Sequence, residues 1–179
     1  MSALSFLRCG IVAASLCFWA SGNATSPTTP EDFVPGLLSY NAETFSQTFN
    51  AVASGAGVKV RMALESCNKD GCKYSLGPNI SAVGLALNES PRRLMSFTVA
   101  GGGRDDVLPR LYVAIPLFIG LFSADADAAE CVVAFENLLN LKEKGVGGLS
   151  SEATLRGVRY SVFVSDTTGF MFFVSPPKD

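Results

Sequence analysis

Histidine is absent from all 179 residues of the chain. Without an imidazole there is no Ser-His-Asp or Cys-His nucleophile system and no side chain that titrates unperturbed near neutral pH. The usual mononuclear zinc-enzyme site, built on at least two imidazole ligands, is excluded with them. Catalysis is left with carboxylate pairs, Ser-Lys systems and cation-dependent phosphoryl chemistry. A basic excess is also lacking, since 14 Lys and Arg stand against 16 Asp and Glu. Nucleic-acid binding needs clustered cations to neutralise phosphates, and here the signs alternate, as in Lys142-Glu143-Lys144. No apolar run reaches the roughly 20 residues of a membrane-spanning helix; the longest cover residues 9–20 and 111–122.

What is present begins with an address. Arg8 is the only charge in the first 24 residues, an apolar run follows it, and Gly22 and Ala24 place small residues where a signal peptidase requires them. The expectation is a secretory signal over residues 1–24, a flexible Thr/Pro-rich leader over 25–37 and one domain over 38–179. Cleavage leaves 155 residues with a net charge of −3, in a periplasmic or extracellular setting and without stable membrane insertion. Neither Cys9 nor Cys17 has the sequence context of a lipidation site. Three sequons occur, at Asn23, Asn79 and Asn88, the first ahead of the expected cleavage point.

Cys67 and Cys72 flank Asn68-Lys69-Asp70-Gly71, whose Asp-Gly step favours a hairpin turn. Facing hairpin positions are within disulfide reach, and an oxidising compartment favours the bond. A redox-active pair would call for Cys-x-x-Cys spacing, and a metal site would need more ligands. Cys131, in an apolar helical pattern, reads as a small buried residue.

Periodicity supplies the rest. A helix is expected over residues 41–53, capped by Asn41, with Phe45, Phe49 and Val52 on one face. Strands are expected over 58–66, where Val58, Val60 and Met62 alternate with polar neighbours, and over 72–76, 79–87 and 94–100. Residues 106–123, interrupted by Pro116, read as a buried helix. A second helix is expected over 127–144, opened by an Asp127/Glu130 capping box and favoured at its end by Lys142 and Lys144. A closing hairpin runs over 156–165 and 170–174, and the second strand, apolar on both faces, belongs in the sheet's centre. The fold class is therefore α+β: an antiparallel sheet of about five or six strands with two to three helices on one face, ordered α-β-β-β-β-α-α-β-β. A faint two-part echo, helix then strands in each half, lacks matching residues.

No catalytic, cofactor or metal constellation is complete. Gly101-Gly102-Gly103-Arg104-Asp105-Asp106 could present backbone N–H groups to an anion, but no Lys-Ser or Lys-Thr follows, and it reads as a connector capped by Asp106. Asn68-Lys69-Asp70-Gly71 lacks the regular oxygen ligands and late glutamate of a calcium loop. Glu65, Asp70, Glu89, Glu130 and Glu136 show no spacing that selects a carboxylate pair for glycoside chemistry. The chain is thus expected to be a small, non-catalytic exported interaction protein with a protein partner, of the physical type of inhibitors, immunity proteins and secretion accessory factors. An exposed edge strand would suit a homodimer by strand addition. One alternative is an apolar-ligand carrier using residues 111–122 with Phe170, Phe172 and Phe173; another is a carboxylate-dependent hydrolase.

Overall fold

The structure is a computed structural model and describes residues 35–102, 107–143 and 148–176. The signal and leader, apart from its last three residues, therefore lie outside the described residues, as does Gly103-Arg104-Asp105-Asp106. Within them, α1 (Pro35–Leu38) and α2 (Phe45–Gly55) precede a four-strand meander, β1 (Ala63–Asn68), β2 (Gly71–Ser75), β3 (Ile80–Ala86) and β4 (Leu94–Gly101). Two helices follow, α3 (Val107–Phe122) and α4 (Ala128–Leu139), and a second meander closes the chain: β5 (Lys142–Glu143), β6 (Leu149–Leu155), β7 (Val158–Ser165) and β8 (Gly169–Ser175).

All eight strands join one antiparallel sheet in the order β1-β2-β3-β4-β8-β7-β6-β5. The fold is α+β, with helices layered on one face. Each half of the chain is helix followed by meander, and the last strands of the halves pair at the centre. The two-part echo is thus real as topology, although no residue pattern repeats with it.

Strand alternation builds the core. On the helix side Tyr74, Phe97, Val99, Phe172, Val174, Tyr160 and Val162 are buried, and α2 and α3 lower Phe45, Phe49, Phe118 and Phe122 onto them. Phe45 is the hub, with ring centroids 5.3 Å from Phe97, 5.4 Å from Phe122 and 6.1 Å from Tyr74. Three tyrosine hydroxyls fasten this layer to backbone carbonyls: Tyr40 donates to Leu121 (2.8 Å), Tyr74 to Ala42 (2.5 Å), and Tyr160 to Ile119 (3.4 Å) beside the Ser123 hydroxyl (2.6 Å). Leu121 lies in the last turn of α3, where carbonyls lack helical partners. Gly36 is required where α1 meets that end of α3, because a Cβ there would overlap the Phe122 carbonyl.

Several boundaries differ from the sequence expectation, each for a local reason. Residues 58–62 alternate as expected but pair with no strand; the Asn50 side chain instead accepts from the Met62 N–H and donates to its C=O, both at 2.8 Å. Asn41 does not cap α2, which begins at Phe45 with Thr44 in the cap position and no side-chain cap bond. Asn41 accepts from the Glu43 N–H (2.8 Å) and bridges to Arg93. The Asp127/Glu130 capping box forms in full, but α4 stops at Leu139, since Lys142 and Glu143 leave the helix to pair with Ser150 and Leu149. Lys144 lies outside the described residues. α3 runs through Pro116, whose missing N–H removes the helical bond to Tyr112. Strands β5 and β6 raise the count above the five or six expected.

Candidate functional site

The acidic residues singled out by sequence do not converge. Glu65 pairs with Lys73 (2.8 Å) and Glu89 with Arg93 (3.5 Å). Asp70 sits in the β1–β2 turn, where Asn68 Oδ1 accepts from the backbone N–H of Asp70 (2.9 Å) and Gly71 (3.1 Å), spending on the turn the oxygen a calcium loop would offer. Glu136 is exposed on α4. Glu130 holds both the Asp127 N–H (2.9 Å) and the Arg156 guanidinium (2.8 Å), and the hydrogen bonds from Arg156, then that from Asp127, keep its carboxyl below the usual glutamate range. That is a helix-to-hairpin clasp. Among the described residues no group of three Asp, Glu or Cys is placed to hold a metal ion. Arg104, Asp105 and Asp106 lie outside the described residues.

Cys67 and Cys72 occupy facing positions of the β1–β2 ladder and are disulfide-bonded, which staples the sheet's edge. Cys131 is buried on the inner face of α4, as its apolar surroundings in the sequence indicate.

The residues assigned to an apolar-ligand pocket are parted by the sheet. Phe172 fills the core and Phe170 floors a crevice between α3 and α4 with Leu111, Ile115 and Leu138, whereas Phe173 alternates to the opposite face. The crevice encloses about 20 Å³, room for one water, against the roughly 300–1,000 Å³ of a small-molecule site.

The distinctive surface is the other face of the sheet. Among the described residues no helix or strand covers it, and its side chains take no part in the core. One row crosses six strands as Lys73, Val83, Thr98, Phe173, Ser161 and Glu152, and the next as Ser75, Ser81, Ala100, Met171, Phe163 and Ser150. The four central strands, β3, β4, β8 and β7, contain a single charge between them, Arg159. An antiparallel sheet with one wet face ordinarily alternates core residues with charged and polar ones. Here the outward positions are small hydroxyls, Phe, Met, Val, Leu and Ala, with Val83 41% and Leu85 46% exposed. Depletion of charge with retention of aromatics and Met is the composition of a contact surface.

By contrast the β1 edge is exposed at all six positions, yet its ladder shifts register between Leu64 and Ser66. An irregularity of this kind blunts an edge against strand addition. The sequence contained a trace of the open face: β4 (LMSFTVAG) and β8 (GFMFFVS) hold no charge in either alternation phase. That pattern correctly places β8 in the centre, but its second face is not covered by any described layer.

Among the described residues, fold and surface together define a two-layer α+β protein with one open sheet face. Comparisons with protein-family models, with curated proteins and with solved structures return no match.

Proposed function

We propose that the chain is an exported, non-catalytic interaction protein that engages a protein partner through the open face of its sheet. The observation that carries the reading is the width of that face, four adjacent strands with Arg159 as their only charge. Keeping such a surface wet leaves Phe163, Met171, Phe173, Val83 and Leu85 partly in water, a standing cost that a protein partner removes. The capacity of the helix-side crevice favours this over the apolar-ligand carrier. The signal-like residues 1–24 and the Cys67–Cys72 bond support a destination outside the reducing cytosol.

The test is affinity capture with the tagged protein from the exported fraction of its own source, read by mass spectrometry, beside Phe173→Glu and Met171→Lys variants. The reading expects a stoichiometric protein, another copy of the chain included, captured by the wild type and lost with either variant. It fails if no protein is captured, or if capture ignores both substitutions while circular dichroism shows the variants folded.

A further inference from the structure

The open face is unequal in the size of its side chains, and the inequality follows the two halves of the fold. In the two central rows the first half presents Ser81, Val83, Thr98 and Ala100, and the second half Ser161, Phe163, Met171 and Phe173. Resting on the reading of this face as a protein-binding surface, we infer that its partner is a second copy of the same chain, packed face to face about a two-fold axis parallel to the strands between β4 and β8.

That axis reverses the strand order of the second copy and leaves the rows in place. β4 then lies over β8 of the second copy and β3 over its β7. Thr98 meets Phe173, Ala100 meets Met171, Ser81 meets Phe163, and Ser161 meets Val83. Every one of these four contacts sets a larger side chain against a smaller one, the alternation that lets facing layers interdigitate about 10 Å apart. At the flanks the same operation brings Lys73, paired within its own chain to Glu65, toward Glu152. An in-plane axis across the strands crowds some positions and empties others. Through the first row it sets Phe173 on Phe173, Thr98 on Thr98 and Lys73 on Lys73, and midway between the two rows it sets Phe173 on Met171 and Thr98 on Ala100. Arg159 is no obstacle: the two copies of it fall on opposite sides of the axis, each over the other copy's Leu85.

The extent of the face is adequate. Six strands span about 29 Å at the usual strand spacing, and five residues along a strand span about 17 Å. Interdigitated side chains over such a footprint approach the roughly 800 Å² per partner of a specific interface. The contact is isologous and closed, so it yields a dimer and no fibre.

Analytical ultracentrifugation of the protein, alone and in mixtures, tests the arrangement. The wild type is expected to sediment as a dimer. Ala100→Lys and Met171→Glu chains should each associate at least 100-fold more weakly, because each puts two unpaired charges into a dry contact. An equimolar mixture of the two variants should recover the dimer, since the proposed axis places the substituted position of one chain against that of the other. A wild type that stays monomeric at about 100 µM overturns the inference, and the capture experiment then decides separately whether the face binds another protein. Single variants that remain dimeric overturn it in favour of another surface, such as the β1 edge, and a mixture that stays monomeric overturns the axis. If either variant is unfolded by circular dichroism, Ser81→Lys with Phe163→Glu applies the same test to the neighbouring contact.

Discussion

Replacing Phe45 with alanine tests how the two halves of the molecule are joined. Phe45 projects from α2, which belongs to the first half, yet it stacks on Phe118 and Phe122 of α3, which leads the second, and meets Phe97 and Tyr74 of the first meander edge-on. It is fully buried. Removing a buried ring costs about 3–5 kcal/mol from lost transfer energy plus the residual cavity. The upper half of that range applies here, because the neighbours are themselves rings locked in the cluster and cannot collapse into the space. In a domain of this size about 4 kcal/mol corresponds to a fall of roughly 12 °C in Tm, and to about 2 M in the urea midpoint for a slope near 2 kcal/mol per molar. The one tryptophan, Trp19, lies in the expected signal, so the transition is followed by far-UV circular dichroism and tyrosine fluorescence. Coincident curves for both proteins are expected, with the variant shifted and its slope unchanged. A loss below about 1.5 kcal/mol would refute the hub role. Two separated transitions would refute the claim that α3 locks the halves into one cooperative unit.

Three further outcomes follow from the geometry. Burial raises the pKa of the Tyr160 and Tyr74 phenols, and carries that of Tyr40 to about 12 against the lesser opposing effect of the Ser39 hydrogen bond. A phenol harder to ionise in the folded state contributes stability that is whole below pH 10 and fades as pH climbs toward the folded-state value. Absorbance at 295 nm should therefore show these rings ionising only as the native dichroism is lost, and their reversible titration in a folded protein would contradict their packing. Cys67→Ser with Cys72→Ser should cost about 2 kcal/mol or less on the chain-entropy estimate, since the loop is short and the Asn68-centred turn already closes it; a loss above about 4 kcal/mol in urea would show the edge strand depends on the bond. Asn50→Ala removes both clamps on Met62 and should cost about 1–3 kcal/mol, with faster amide exchange across residues 58–62 as the distinguishing sign.

The fold was legible wherever one strong periodicity acted alone. The capping box of α4, the Asp-Gly hairpin, the buried helix around Pro116 and the central place of β8 all stand in the sequence because each rests on neighbouring residues. β6 was not legible, because its inward positions are Ser151 and Ala153 between Leu149 and Leu155, too weakly apolar to mark an alternation. Residues 58–62 alternate strongly but are held by a side chain twelve residues away, which no local pattern reveals. The open face was harder still. Its rows assemble residues from β2 through β6 across almost the whole chain, and a Thr98 or a Ser161 signifies nothing until pairing sets it beside Phe173.

The mirrored strand order has a consequence for the life of the chain before it folds. β8, the last of the described strands along the sequence, is the one on which both meanders lean, through β4 on one side and β7 on the other. Its pairing with β4 joins Thr98 to Phe173, a closure of long sequence separation and so a slow one. The first meander, emerging early, has no neighbour to complete its sheet until residues 169–175 are delivered. Closure of the sheet is thus set by chain order: until β8 arrives, β4 keeps an unpaired edge and the second meander has nothing to dock against.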